Sequence, residues 1–132
     1  MISLDYRSGM PLYLQVVEGY KRLILNGVIA ENEKLPSVRE LASMLAINPN
    51  TIQRAYRELE TEGFVGTSPG KGIFAVGGDN LKQQYIEDIF KDSGSNIQKL
   101  LDYGLSFNEI IHQFEKRFNQ KEAGGDSHDI DD

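Results

Sequence analysis

The chain has 132 residues, which suits one small domain with a core and a short appendage. It has no cysteine, which excludes disulfides and thiolate metal sites, and no apolar run near the roughly 20 residues of a membrane helix. The net charge of −6 by itself argues against a polyanionic partner. However, residues 1–76 hold eight basic and eight acidic residues, whereas residues 77–132 hold six basic and twelve acidic ones. The whole excess of negative charge therefore lies in the second part of the chain.

Two helices are predicted first. The stretch PLYLQVVEGYKRLILNG, residues 11–27, carries apolar side chains at steps of four, three and four, which is one face of a helix that Gly27 ends. After a loop, Ser37 and Glu40 form a capping box, in which each side chain bonds a free backbone N–H at the start of a second helix. The expected buried residues are Tyr13, Val17, Tyr20 and Ile24 of the first helix and Val38, Leu41, Ala42 and Leu45 of the second.

A third helix follows after a turn of three residues. Proline is favoured at the first helical position because its missing N–H would have no partner there, so Pro49 begins the helix, Asn48 is its N-cap and Gly63 ends it. Two β-prone runs, 64–65 and 73–76, are joined by GTSPGKG and predict a hairpin. The expected inward face of the third helix is Ile52, Ala55, Tyr56 and Leu59.

Two further helices are predicted beyond residues 77–78. Apolar residues recur at helical spacing in the first of them, although the small residues 93–95, Ser-Gly-Ser, weaken it or break it. Gly104 ends it, and Ser106 with Glu109 forms a second capping box that opens the last helix. Residues 121–132, KEAGGDSHDIDD, have almost nothing to bury, so we expect a disordered acidic tail.

The order of three helices and a hairpin, with a short turn before the third helix, is the plan of a winged helix-turn-helix. The expected fold class is mostly α with a small β-hairpin: a winged helix-turn-helix DNA-binding domain and a two-helix carboxy-terminal segment. The stretch LPSVRELASMLAINPNTIQRAYRELETEGFV, followed by PGKGIFAV, resembles the GntR family of bacterial transcription regulators over about residues 10–76. Its three motifs stand in the family's order and spacing.

The length of the back segment narrows this resemblance. Members with large effector domains have longer chains, whereas about 55 residues follow the wing here, predicted as two helices. That length is similar to the YtrA-like branch, in which such helices pair two subunits. The resemblance implies a homodimeric regulator of a double-stranded DNA operator, most simply a repressor. We expect the DNA-binding domain at residues 1–77, a dimerisation segment at 78–120 and the tail at 121–132.

The third helix carries the candidate base-reading residues. Asn50, Arg54 and Arg57 follow each other at steps of four and three opposite the apolar stripe, and Thr51 and Gln53 lie beside them. An α-helix fits the major groove, where Arg pairs with guanine, Asn and Gln pair with adenine, and Thr contacts a thymine methyl or a phosphate. The alternative is a solvated polar face with a capped end.

Other candidates lie before the third helix. The resemblance gives Arg39, expected at the second turn of the second helix, a phosphate or base contact; the alternative is an ion pair with Glu40 or Glu58. Asn48 is a cap more readily than a base reader, although the N–H groups that it borders can hold a phosphate. Weaker phosphate candidates are Ser37, Thr67 and Ser68.

In the wing, the family resemblance implies that the basic side chain of Lys71 lies against the minor groove or its phosphates. Gly70 beside it lets the backbone approach closely. A nucleotide-binding phosphate loop would need Gly at position 65 and Ser or Thr at position 72, and the chain has neither. Many family members have Arg at the positions of Pro49 and Gln53, so the base preference cannot be taken from them.

The back segment has more apolar side chains than two isolated helices can cover. Pairing with a second copy would cover them, and a two-fold dimer suits a palindrome with half-sites about 34 Å apart. The alternative is packing on the chain's own first helix. The expected dimer-interface residues are Phe90, Ile97, Leu101, Leu105, Ile110, Ile111, Phe114 and Phe118.

Other function classes have less support. His112 and His128 have no Cys, Ser or paired carboxylate at a catalytic or metal-binding spacing, so we expect no enzyme activity, cofactor or metal site. The acidic tail could hold a divalent cation loosely, but a solvated tail is the simpler expectation. A winged helix used only for protein contacts is the remaining alternative. Since the amino terminus lacks a basic region followed by an apolar one, we expect a soluble cytoplasmic protein. No residue indicates a small-molecule effector.

Overall fold

The structure is a computed structural model that describes the backbone of residues 2–129 and the side-chain surroundings of residues 2–120. In that range the elements are α1 (Leu12–Leu25), α2 (Val38–Leu45), α3 (Pro49–Thr61), β1 (Val65–Ser68), β2 (Gly72–Ala75), α4 (Asp79–Asp102) and α5 (Phe107–Asp129). The contacts group the chain into two compact units, Met1–Tyr85 and Ile86–Asp132. The predicted fold class and element order are confirmed.

The core of the first unit is shared by α1, α2, α3 and the hairpin. Every residue predicted to face inward from α3 is buried, and Ile52 and Leu59 are completely covered. In α2, Leu41 and Ala42 lie inside the core, while the other two predicted residues pack at its edge. Because each buried aliphatic side chain contributes about 1.5–3 kcal/mol, this apolar stripe fixes which face of α3 points outward.

The capping box at the start of α2 is present. The Ser37 hydroxyl oxygen accepts the backbone N–H of Glu40 at 3.1 Å, and the Glu40 carboxylate accepts the backbone N–H of Ser37 at 2.8 Å. The helix ends at Ala46 in the left-handed conformation, with φ of 56°. Three residues therefore suffice to turn the chain into α3, as the sequence predicts.

The hairpin is longer than predicted and is extended by a third segment. β1 and β2 pair from Val65 with Ala75 to Ser68 with Gly72, so the turn is confined to residues 69–71. Lys34 forms an antiparallel bridge with Phe74 on the other side of β2. Since an isolated two-stranded hairpin is marginal in water, this segment before α2 supports the wing.

The two carboxy-terminal helices are continuous over the described residues. The small residues 93–95 do not break α4, and its first turns place Leu81 and Tyr85 against the core of the first unit, which extends past residue 77. Ser106 and Glu109 form the predicted capping box of α5. The bounds of α5 enter the segment 121–132, whose side chains lie outside the described part, so its disorder stays a prediction.

Candidate nucleic-acid interface

One side of α3 is polar and exposed. We call Asn50, Gln53, Arg54 and Arg57 the polar face of α3; all four are exposed, and Thr51 beside them is half-buried. The opposite side of α3 is buried in the core, and this fixes the rotation of the helix about its axis and keeps the polar face exposed. The structure therefore brings the five predicted residues of α3 together on one accessible surface.

The buried side of α3 is fixed to the start of α2 by Tyr56. Its hydroxyl donates to the carbonyl oxygen of Pro36 at 2.7 Å, and its ring packs edge-on against the ring of Tyr20, with 6.0 Å between the centroids. Burial raises the pKa of Tyr56 well above the ordinary tyrosine value. The phenol therefore stays protonated and keeps its hydrogen-bond donor.

The far end of α3 is fixed by a buried lysine that the sequence analysis did not single out. Lys21 of α1 is 7% exposed, and its ammonium donates to the carboxylate of Glu62 at 2.7 Å. Glu18 lies at 3.5 Å from the same nitrogen. The ammonium also lies 5.2 Å from the ring centroids of Phe64 and of Tyr85. One cation thus joins α1, the end of α3, the entry to the hairpin and the start of α4.

The pKa shifts around this lysine follow from these contacts. Burial acts to lower the pKa of Lys21, but the hydrogen bond to Glu62 and the surrounding negative charge outweigh it and raise the pKa. Burial acts to raise the pKa of Glu62, and hydrogen bonds from Glu58 and Lys21 outweigh it, so the pKa is lowered. The hydrogen bond with Glu62, followed by its charge, raises the pKa of Glu58. Two of the acidic residues at the end of α3, Glu58 and Glu62, are thus hydrogen-bonded within the protein.

Asn48 has the geometry of a cap. Its side-chain oxygen accepts the backbone N–H of Asn50 at 2.8 Å, and the helix begins with Pro49, as predicted. The side chain is exposed. Capping occupies the oxygen of the amide and leaves its N–H₂ group facing solvent.

Arg39 lies in the first turn of α2, not the second, because the helix begins at Val38. Among the described residues no ion pair joins Arg39 to Glu40 or to Glu58. The carboxylate of Glu40 instead accepts the backbone N–H of Ser37, and this hydrogen bond lowers the pKa of Glu40. The guanidinium of Arg39 is exposed, next to the start of the helix.

The wing presents two cations, of which the sequence analysis found one. Lys71 is exposed beside Gly70, whose φ of 77° is the left-handed conformation expected at a tight turn. The second is Lys34, whose side chain runs over Gly72 so closely that a Cβ there would lie 2.9 Å from its Cε. Lys34 was missed because its approach to the wing depends on strand pairing. The sequence did carry one signal of a short strand here: the charged Lys34 is followed directly by the apolar Leu35.

A second missed feature joins α1 to the polar face of α3. The guanidinium carbon of Arg54 lies 3.7 Å from the ring centroid of Tyr13. The two side chains border a groove of about 320 Å³ whose other lining residues are Leu12, Asn50 and Thr51. Tyr13 also packs at the edge of the core, as its place on the apolar face of α1 predicts.

The second unit carries an exposed apolar stripe. Phe107, Ile111, Phe114 and Phe118 recur on α5 at steps of four, three and four, and all four are exposed, Phe118 by 59%. Ile110 was predicted as a dimer contact but is only 2% exposed within the single chain, so it is not available to a partner. Of the other predicted contacts, Phe90 and Leu101 are exposed, and Ile97 and Leu105 are half-buried.

In the part of the chain whose side chains are described, no three His, Cys, Asp or Glu residues gather as metal ligands do. The acidic tail residues with His128 lie outside that part. No helix among the described residues is both long and apolar enough to cross a bilayer.

Two helices joined by a three-residue turn, with a hairpin directly after the second, define a winged helix-turn-helix protein. Residues 12–75 match the family model described as bacterial regulatory proteins, gntR family. The HTH-type transcriptional repressor YtrA of Bacillus subtilis strain 168 is 35% identical to this chain over an alignment of 132 residues. The alignment covers 98% of this chain and 100% of the relative. The chain belongs to the GntR family of bacterial regulatory proteins.

Solved structures extend this similarity beyond the winged helix. A GntR family transcriptional regulator from Listeria monocytogenes is 35% identical with a TM-score of 0.67, covering 84% of this chain and 98% of that one. YtrA from Sulfolobus acidocaldarius, a GntR-family transcription factor, is 30% identical with a TM-score of 0.55, covering 90% of this chain and 97% of that one. The resemblance to the YtrA-like branch is therefore confirmed.

Proposed function

We propose that the protein is a cytoplasmic transcriptional repressor that binds a palindromic double-stranded DNA operator as a homodimer. The observation that carries the proposal is the polar face of α3, which is exposed opposite a fully buried face. The similarity to the repressor YtrA of Bacillus subtilis along almost the whole chain supports the same activity.

The proposed binding mode places the amino-terminal half of α3 in the major groove. Arg54 and Arg57 supply guanine or phosphate contacts, and Asn50 and Gln53 supply adenine contacts. The exposed guanidinium of Arg39 and the wing residues Gly70, Lys71 and Lys34 contact the backbone, which fixes the register without reading bases. Asn48 holds the start of the helix, with its free N–H₂ group directed to a phosphate.

Charge within α3 favours this direction of insertion. The residues at its far end, Glu58, Glu60 and Glu62, would repel phosphates, and Lys21 partly neutralises one of them inside the protein. All the basic residues of α3, Arg54 and Arg57, lie before these acids. The helix therefore offers donors at one end and excludes DNA from the other.

The homodimer is proposed from the exposed apolar stripe of α5 together with Phe90 and Leu101 of α4. Exposed apolar side chains in this number favour a protein interface, and a second copy supplies a matching set. Two identical winged helices then read the two halves of a palindrome, and occupation of a site near a promoter blocks transcription.

The test is DNA binding by the intact protein at two salt concentrations. An operator is first selected from random duplexes, and binding to it and to random DNA is measured by mobility shift at 50 and 200 mM salt. We expect binding to weaken at least about 10-fold at the higher salt, because phosphate contacts release counterions. Absence of salt-sensitive binding to either duplex would support a module that makes only protein contacts.

Arg54→Ala tests base reading within this proposal. A guanine contact is worth about 1–3 kcal/mol, so operator affinity should fall about 5-fold to 150-fold while random-DNA affinity changes little. The control is Arg22→Ala, which removes an exposed arginine from the last turn of α1. An equal loss on both duplexes would assign Arg54 to a phosphate.

A further inference from the structure

Arg54 is the one member of the polar face of α3 whose guanidinium stacks on an aromatic ring among the described residues. The ring belongs to Tyr13, in the first turn of α1, so the contact joins residues 41 positions apart. We propose that Tyr13 is a positioning residue that orients the Arg54 guanidinium for base reading. The inference rests on the proposed function, because it concerns the operator that α3 reads.

The geometry of the stack leaves the recognition edge of Arg54 free. A distance of 3.7 Å from the guanidinium carbon to the ring centroid is a contact of the guanidinium face with the ring. The five N–H donors of a guanidinium lie in its plane and point outward from its edge. A ring on one face therefore fixes the plane and leaves the donor pair that guanine requires.

The stack also competes with an alternative partner of Arg54. Glu58 lies one turn further along α3, and the charge of Arg54 acts on its carboxyl group. Among the described residues no ion pair forms between the two. Tyr13 thus holds the guanidinium away from the acidic end of the helix, on the amino-terminal half that is proposed to enter the groove.

The energetic consequence follows from side-chain entropy. A free arginine side chain loses rotamer entropy when it is fixed against a base. Tyr13 itself is restrained, because it packs at the edge of the core. An arginine already restrained by Tyr13 loses less on binding, and only the correct base matches its fixed plane, so the stack increases specificity as well as affinity.

The experiment compares Tyr13→Leu, which removes the ring, with Tyr13→Phe, which keeps it. Affinity is measured for the selected operator and for a random duplex, and base preference is measured by repeating the selection. We expect Tyr13→Leu to weaken operator binding on the order of 10-fold, because the released Arg54 side chain must then be fixed on binding, with less than about 2-fold change on random DNA. Its base preference should flatten at the positions that Arg54→Ala flattens, and Tyr13→Phe should retain the wild-type preference.

A double-mutant cycle separates positioning from folding. If Tyr13 acts through Arg54, Tyr13→Leu causes no further loss in the Arg54→Ala background, whereas a loss of core packing would persist there. Tyr6→Leu, which alters an exposed tyrosine of the same unit, is the matched control and should leave both affinities unchanged. Thermal melting of each variant monitors the fold.

The outcomes are distinct. Equal loss on both duplexes, an additive loss in the cycle, or tighter operator binding by Tyr13→Leu would overturn the inference while leaving the proposed function in place. Absence of salt-sensitive DNA binding by the wild-type protein would overturn both. Flattened preference in Tyr13→Leu, absent in Tyr13→Phe and without effect beyond Arg54→Ala, supports it.

Discussion

Lys21 is a charged residue that is almost completely buried, and its contacts join several elements of the first unit. Its ammonium bonds the carboxylate of Glu62 and lies against the rings of Phe64 and Tyr85. A buried cation is tolerated only when paired, so this arrangement depends on Glu62 staying ionised.

Replacement of Lys21 by Met should therefore destabilise the protein by about 2 kcal/mol, since a hydrogen bond between charged groups is lost and Glu62 is left without its partner. Urea unfolding of the intact protein measures the change. Arg22→Met, which alters the neighbouring exposed cation, is the control and should stay within about 0.5 kcal/mol of wild type. A Lys21→Met protein as stable as the control would contradict this role.

The same pair predicts a pH dependence. The pKa of Glu62 is lowered in the folded state, so its contribution is present above the ordinary value of 4.5 and is lost as pH falls through the folded value. The raised pKa of Lys21 places its loss above 10.5, at the alkaline end. The stability difference between wild type and Lys21→Met should shrink below about pH 4.5; a constant difference down to pH 3 would exclude the linkage.

Asn48 offers a separation of capping from DNA contact. Asn48→Ser keeps an oxygen that can accept the N–H of Asn50, whereas Asn48→Ala removes it and should cost about 1 kcal/mol of stability. Because the proposed binding mode directs the N–H₂ group of Asn48 to a phosphate, we expect both variants to lose operator affinity. An Asn48→Ser protein that binds the operator as wild type does would assign the residue to capping alone. Thermal melting and mobility shift together distinguish these results.

At the scale of elements, two of the three glycines in the wing, Gly66 and Gly72, place different demands on the backbone. Gly72 has φ of 114° and lies under the side chain of Lys34, whereas an added Cβ at Gly66 would meet only Val76, at 3.9 Å. Gly72→Ala should cost about 1–2 kcal/mol, chiefly from the backbone conformation. Gly66→Ala is the matched control in the partner strand and should be nearly neutral. Urea midpoints of the two variants check this, and equal midpoints would contradict it.

The helix ends were predictable from sequence, and the contacts between elements were not. The caps at Ser37, Asn48 and Ser106 depend on residues within three positions, and each forms as predicted. The stack of Tyr13 on Arg54 joins residues far apart in the chain, for which no local pattern exists. The sequence did not decide whether residues 93–95 break α4, because helix propensity is a weak preference, and in the structure the long helix overrides it.

In the candidate site, too, local features were predictable from the sequence and contacts between elements were not. The polar face of α3 followed from helical periodicity, because a buried stripe leaves the opposite residues exposed. Ile110 was assigned to the dimer interface by the same periodicity, yet it is covered within the single chain. Periodicity identifies an apolar face but does not say which neighbour covers each residue.

For the whole molecule, the main prediction concerns association. Phe118→Glu places a charge in the exposed stripe of α5 and should convert a dimer into a monomer at micromolar concentration, measured by sedimentation equilibrium. Lys116→Glu, on the opposite side of the same helix, is the control and should remain dimeric. A wild-type protein that is monomeric at these concentrations would contradict the proposed homodimer.

The bridge between Lys34 and Phe74 has a consequence for how the protein folds. It closes a loop of about 40 residues that contains α2 and α3, so the segment at Lys34 should pair with β2 after the helix-turn-helix has formed and shortened that loop. Local helices form much faster than contacts so distant in the chain. The wing should therefore be the last part of the first unit to become ordered, and the backbone N–H of Leu35, bonded to Ile73, should gain protection from hydrogen exchange later than the amides of α3.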